Sequence, residues 1–273
     1  MRNGGRQHGG VKGHRAPGPA RTGHARLYRM PAGQALAALP AGSISIIITD
    51  PPYATVDRHS ESGHLRRWFL GSLSWTEIGK LLALARQKLR PDGVAFVMTN
   101  SAGLPEALAA MTQAGFLRVR PITWDKRTPG LGGGLRHRTE HVLVGYLPGS
   151  RTLQGSDLVA VPAVGPGTKG RWVTEKPEGL GRKLAAIAGI GSDDVVLDPF
   201  CGSGALLVGA QERGATVLGC DIAPAALRRA AAKLGLHQSA ITVSTATTAV
   251  RRPPRGPSRA VPRRPRTARS RDG

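Results

Sequence analysis

The stretch from residue 195 to residue 221 limits the fold of this chain more than any other. Val195-Val196-Leu197 is a short β-branched run that ends on Asp198-Pro199 and continues as Phe200-Cys201-Gly202-Ser203-Gly204. A helical stretch over 203–213 follows and stops at Gly214, after which Thr216 to Asp221 is a second short apolar strand. Strand, glycine-containing turn, helix and strand in that order belong to a sheet covered by helices on both faces.

The alternation extends upstream. Ser43 to Thr49 is β-branched and short, so it reads as a strand buried on both sides, with Asp50 opening the loop at its carboxyl end. Ser74 and Glu77 have capping-box spacing, apolar residues from Ile78 to Leu89 recur at helical period, and Pro91-Asp92-Gly93 ends that helix before a strand over Val94 to Thr99. Pro105 and Gly115 bracket another helix, followed by strands over 116–124 and 141–147. Residues 148–170 have no period and read as a loop or small insert. Pro177 begins a helix running to about Ala188, Pro224 begins one that closes at Gly235, and 240–245 reads as a last short strand.

With 273 residues and 40% hydrophobic content, the chain suits one α/β domain over 26–248. Residues 1–25 and 249–273 are rich in Gly, Pro, Arg and Ser, too poor in large apolar groups to repay ordering, and are expected to be disordered basic tails. The net charge of +22 favours a polyanionic partner, although an excess of Arg, Ala, Gly and Pro is also what GC-rich coding produces. The motifs must decide. No window approaches the ~20 apolar residues of a membrane span, and Cys201 and Cys220 read as small core or loop residues, so a soluble cytoplasmic protein is expected.

Two constellations carry chemistry. The first is Asp50-Pro51-Pro52-Tyr53 at a strand's carboxyl end, where open α/β sheets bind ligands. The exocyclic amine of a nucleobase is a poor nucleophile because its lone pair is delocalised into the ring. A carboxylate and a directed Pro-Pro carbonyl, both acceptors, would draw on its two hydrogens and favour a pyramidal nitrogen. Tyr53 offers a face on which an extruded base can stack.

The second is Asp198 to Gly204. Gly202 and Gly204 permit a tight turn and close approach of a ligand, and Asp221, about twenty residues on, ends the next strand where a carboxylate can accept from ribose hydroxyls. The dinucleotide fingerprint G-x-G-x-x-G is absent, and two carboxylates would repel a pyrophosphate. A cationic sulfonium cofactor suits them better.

On these residues the chain resembles the beta class of DNA amino-methyltransferases, which modify adenine N6 or cytosine N4, over roughly residues 25 to 237. Asp-Pro-Pro-Tyr comes first and Asp-Pro-Phe-Cys-Gly-Ser-Gly last, the circularly permuted order of that class. Leu89 to Gly93, Trp124-Asp125-Lys126 and Glu175-Lys176-Pro177 also match. The resemblance implies a doubly wound, mostly parallel, Rossmann-like sheet that binds S-adenosyl-L-methionine and double-stranded DNA. By it, Asp50, Pro51, Pro52 and Tyr53 are catalytic. Lys176 and Pro177 lie near the methionine part of the cofactor, Asp198, Phe200, Gly202, Ser203 and Gly204 line its pocket, and Asp221 binds its ribose.

Asp rather than Ser at position 50 leans towards adenine. Met30-Pro31-Ala32-Gly33 stands where the family often has Gly-Asp, removing an aspartate contact to the cofactor, and a target-recognition segment confined to 148–174 implies relaxed specificity. A homodimer, a partner restriction endonuclease and an orphan enzyme all remain open. So do three other functions: a cytosine-N4 enzyme, an amino-methyltransferase acting on RNA or protein, and a catalytically silent DNA-binding protein.

Arg58, Arg66 and Arg67, after the first motif, are candidate DNA contacts in a loop that closes over the base, as are Arg136 and Arg138. His137 to His141 has the H-x-x-E-H spacing of a zinc site, but Gly132-Gly133-Gly134 before it and a β-rich run after it deny it the helix such a site needs.

Overall fold

The computed structural model describes residues 24–53, 72–130, 134–164 and 175–243. Nine strands form one sheet: β1 (Ala25–Arg29), β2 (Ile44–Thr49), β3 (Leu89–Thr99), β4 (Arg118–Asp125), β5 (Thr139–Tyr146), β6 (Leu158–Ala160), β7 (Val195–Asp198), β8 (Thr216–Asp221) and β9 (Ile241–Val243). Their order is β6-β4-β5-β3-β2-β7-β8-β1-β9. Only β5 runs against its neighbours, β3 and β4; every other pairing is parallel.

Among the described residues, six α-helices cover the two faces. Helices α1 (Ala32–Ala38), α2 (Trp75–Arg86) and α3 (Leu104–Gln113) lie on one side, packing Leu36, Ile78, Leu82 and Met111 against Ile47, Val97 and Leu143. On the other, α4 (Glu178–Ile187), α5 (Val208–Glu212) and α6 (Pro224–Lys233) place Leu180, Leu184, Val208 and Leu227 against Ile46, Ile48, Phe96 and Val196. This is the doubly wound arrangement expected.

All six residues of β2 are buried, as a strand covered on both faces requires. Each of Ile46, Ile47 and Ile48 is fully shielded, worth about 1.5–3 kcal/mol apiece in transfer free energy. A register shift against β3 between Ile44 and Ile46 puts Ile44 on the α1–α3 side while Ile46 and Ile48 face the other way. The chain leaves β2 in one direction, towards β3, and leaves β7 in the other, towards β8. Their carboxyl ends therefore flank the point where strand order reverses, which is where such sheets form a ligand crevice.

Local chemistry matches the elements. Ser74 closes the capping box of α2, its Oγ accepting from the Glu77 N–H while the Glu77 carboxylate accepts from the Ser74 N–H. Close packing of α4 on α5 needs Gly181, where a Cβ would come within 2.7 Å of the Ala205 and Leu206 carbonyl oxygens.

The helix expected over 203–213 is shorter. Gly204 sits at φ +74°, which an α-helix cannot continue through, so turns run to Leu207 and α5 begins at Val208. The described part of the segment 148–174 is not a free insert. Arg151 ties it to Asp92 and Asp194, and β6 then joins the sheet edge beside β4. Among the described residues no helix is long and apolar enough to cross a membrane. The basic tails lie almost wholly outside the described residues, but Ala25, expected to end the first tail, opens β1 in register with Val217 of β8.

Candidate active site

Asp50 leaves β2 beside Asp198, the last residue of β7, and Thr49 joins the two strand ends by donating from Oγ1 to Asp198 Oδ1 at 2.7 Å. The Asp198 oxygen also accepts from the Phe200 N–H at 3.0 Å. Asp198 is 1% exposed, and burial pushes its carboxyl up to about 7, with Asp50 and Asp221 adding to the rise. The cofactor-type loop is laced to the next strand. Asp221 accepts from the Gly202 N–H at 3.0 Å and the Ala223 N–H at 2.7 Å, and Cys201 N–H donates to the Cys220 carbonyl. Burial raises Asp221 above the usual carboxylate range. Among the described residues no salt bridge reaches Asp198 or Asp221.

Gly202 adopts φ +50° with open space where a Cβ would stand, so the loop presents bare backbone to the crevice. Gly204, at φ +74°, lies against α6, where a Cβ would meet Ala230 at 3.0 Å. Its role is packing as well as turning. Ser203 is 7% exposed and donates to Glu175 Oε1 at 3.0 Å, and Glu175 in turn pairs with Lys233 at 2.9 Å. This buried polar tie fixes the loop to α6 and to the lead-in of α4, where Lys176 and Pro177 stand.

Lys176 is the pivot of the site. Its Nζ lies 2.7 Å from Asp50 Oδ2 and 3.5 Å from Glu140 Oε2, and Lys126 Nζ lies 3.3 Å from the other Glu140 oxygen. Burial alone would lower the lysine, but the charges of Asp50 and Glu140 outweigh it and hold the ammonium protonated. For Asp50, burial pushes the carboxyl up against the pull of Lys176. The second oxygen, Asp50 Oδ1, is buried with no hydrogen-bond partner. An acceptor left unmet in a protein interior costs on the order of 1–3 kcal/mol, so this atom is poised for a donor.

The Pro-Pro carbonyls are less free than the sequence suggested. Pro51 accepts from the Tyr53 N–H and Pro52 from the Leu73 N–H, each at 2.8 Å, leaving one lone pair on each oxygen. Tyr53 stacks on Trp75, ring centroids 5.6 Å apart and planes 15° off parallel, so Trp75 backs the aromatic face expected to meet a base. Burial raises the Tyr53 phenol, which stays protonated.

Asp50 to Tyr53, Lys176, Asp198, Gly202 and Asp221 thus converge on one edge of the sheet. Arg58, Arg66 and Arg67 lie outside the described residues. Arg136 and Arg138 stand on the β4–β5 connection at the same edge but differ. Arg138 spends its guanidinium on Asp125, at 2.6 and 2.7 Å, and holds that carboxyl down to about 2, whereas Arg136 is exposed. Glu140 and His141 are consecutive residues of β5, so they face opposite sides of the sheet. Cys201 and Cys220 are buried thiols that burial pushes up, Cys220 to about 12, so neither is an activated nucleophile.

Sequence reasoning passed over three functional neighbours. Trp75 looked like the first residue of a capped helix, Glu140 like part of a false zinc motif, and Lys126 only like a family match. Their signal is spatial: Trp75 stacks on Tyr53, Glu140 faces the Lys176 that pairs with Asp50, and Lys126 pairs with Glu140.

Comparison with known proteins agrees with the geometry. A family model described as DNA methylase matches residues 154–233. The Type II methyltransferase M2.DpnII of Streptococcus pneumoniae is 25% identical over 209 residues, covering 66% of this chain and 78% of that one. Among solved structures, an M1.HpyAVI–SAM complex superposes with a TM-score of 0.60 at 18% identity, over 78% of this chain and all of its own (100%). The cytosine-N4-specific PvuII DNA methyltransferase gives 0.63 at 17% identity, over 79% and 88%. The last two establish the fold.

Proposed function

We propose that this chain, as a member of the DNA amino-methyltransferase family, transfers a methyl group from S-adenosyl-L-methionine to an exocyclic base amine in double-stranded DNA, with adenine N6 as the preferred target. One observation carries the reading: Asp50 Oδ1, a buried acceptor without a partner, stands beside Tyr53 at a strand end tied to the Asp198 loop. The loop's donor set fits the cofactor. Asp198 and Asp221 have no cationic partner among the described residues, and bare backbone at Gly202 leaves room above the turn.

When bound, the cofactor supplies an electrophilic methyl on a sulfonium. This chain's residues prepare the amine for it. Asp50 Oδ1 accepts one amine hydrogen and the remaining lone pair of the Pro51 carbonyl accepts the other, turning the nitrogen lone pair out of conjugation. Tyr53, backed by Trp75, holds the base plane. Asp50 Oδ1 would take up the excess proton of the methylated amine, while Oδ2 stays paired with Lys176. Asp221 and the Gly202 turn hold the nucleoside, with Phe200 and Ser203 in the same loop, and Lys176-Pro177 lie near the methionine end. Preference for adenine rests on the carboxylate at position 50.

The test is transfer of labelled methyl to plasmid DNA, RNA and protein by wild type and Asp50→Ala, with modified bases read by sequencing DNA from a methylation-free host. DNA labelled at adenine N6 and lost in Asp50→Ala is expected. Label on cytosine alone would overturn the base assignment. No transfer to DNA by a folded, cofactor-binding protein would overturn the activity.

A further inference from the structure

We propose that Glu140 and Lys126 form a positioning pair for this reaction: Glu140 shares the Lys176 ammonium with Asp50, so that the free Oδ1 of Asp50 stays a strong acceptor for the substrate amine. The proposal rests on the methyl-transfer reading and adds to it two residues that touch neither base nor cofactor. They act through Lys176.

Four charges alternate along a line. Lys126 Nζ is 3.3 Å from Glu140 Oε1, Glu140 Oε2 is 3.5 Å from Lys176 Nζ, and Lys176 Nζ is 2.7 Å from Asp50 Oδ2. Three segments supply them: the end of β2, the β4–β5 hairpin and the lead-in to α4. The side chains retain only 15%, 20%, 13% and 25% of their exposure in that order, so solvent screens them weakly. Glu140 Oε2 is buried without a hydrogen bond, its nearest charge being the Lys176 ammonium.

An ammonium facing one carboxylate forms a closed neutral pair and withdraws charge from it. Facing two, it is divided. Asp50 then keeps more negative charge at Oδ1, the oxygen aimed at the amine. Lys126 gives Glu140 a counter-ion of its own. Glu140 also fixes where the long Lys176 side chain comes to rest, which fixes which Asp50 oxygen is left free.

The charged groups that face Asp50 are Lys176 ahead of α4, Glu140 on β5 and Asp198 on β7, with the Tyr53 phenol beside it. Removing the Glu140 charge therefore lowers the Asp50 carboxyl, and removing Lys126, which balances Glu140, raises it. With both oxygens on one Nζ, at 2.7 and 3.5 Å, Asp50 and Glu140 are close enough for a shift of about one pH unit.

The experiment measures kcat for plasmid DNA methylation against pH in wild type, Glu140→Gln and Lys126→Met, and follows the Asp50 carboxyl carbon by NMR titration of the cofactor-free proteins. In Glu140→Gln the acid limb and the NMR titration both move down by about one pH unit. Plateau kcat falls between about ten- and a hundredfold, while the cofactor KM stays within about threefold. In Lys126→Met the limb moves up. Unmoved limbs and titrations in both variants, or movement with the opposite signs, overturn the proposal. Should Glu140→Gln not fold, the upward shift in Lys126→Met decides alone. Absence of DNA methylation by wild type would instead overturn the activity, and the NMR shifts would still uphold or refute the Glu140 coupling.

Discussion

Asp198→Asn should make the cofactor-free protein more stable at neutral and alkaline pH. The Asp198 carboxyl titrates at about 7 in the folded chain, against 3.8 when unperturbed, because it is 1% exposed and has no cationic partner among the described residues. Between those values the folded state holds a proton that the unfolded state has released. Stability therefore falls as pH rises through this window, by about 1.4 kcal/mol per unit, and the loss is complete just above pH 7. Three units give an upper figure of about 4 kcal/mol.

Asn does not titrate, and its Oδ1 can still accept from Thr49 and Phe200. The variant should match wild type only below about pH 4, and its advantage should grow by about 2–3 kcal/mol between pH 5 and pH 8, equivalent to roughly 4–12 °C in Tm for a domain of this size. Asp50 and Asp221, also raised by burial, lose the repulsion of the Asp198 charge in the variant, which adds to its advantage at high pH. Urea unfolding from pH 5 to 8.5 at constant ionic strength provides the comparison. Parallel curves for the two proteins would refute the argument, as would an Asn variant less stable at pH 8. Saturating cofactor should narrow the gap by stabilising wild type, since a bound cation offsets the buried charge.

Gly145→Ala should destabilise the fold by about 1–3 kcal/mol, because a Cβ there would stand 2.6 Å from the Met111 methyl and 2.7 Å from the Phe116 ring; urea midpoints would show it. At the edge proposed to face DNA, Arg136→Ala should weaken DNA binding and reduce the salt slope by about one. Arg138→Ala should change both less, because that guanidinium is already bound to Asp125. Equal effects in binding isotherms taken across a salt series would contradict the distinction.

Elements that bury a continuous apolar run or carry explicit stop signals were readable in the sequence. β2, β7 and β8 are of this kind, as are β3 from Val94 onward and α2 with its Ser74–Glu77 box, although α2 ends at Arg86 and the stretch Leu89 to Gly93, expected to close the helix, opens β3. β1 was obscured because Arg26 and Arg29 flank its one buried residue, Leu27, and continue the basic composition of the tail. β6 spans three residues and has no period to detect; it exists because Val161 N–H and Asp125 carbonyl, and Thr123 N–H and Asp157 carbonyl, extend the edge of β4. The early start assigned to α5 failed at Gly204, whose positive φ is set by contact with Ala230 of α6, a tertiary fact.

The site divides along the same line. Asp50 to Tyr53 and Asp198 to Gly204 are contiguous motifs, and their chemistry can be argued from residue type and strand-end position. Charge balance cannot, because it depends on which distant side chains arrive. Among the site's carboxylates, Asp50 and Glu140 are matched by Lys176 and Lys126, whereas Asp198 and Asp221 are met only by hydroxyl and backbone donors among the described residues. The cations thus collect on the base side of the crevice and the unbalanced acid on the loop side. A neutral or anionic ligand at the loop would leave two carboxylates uncompensated, and a sulfonium there offsets one of them. The arrangement that burdens the cofactor-free protein at high pH is therefore one that would favour a cationic ligand beside Asp198.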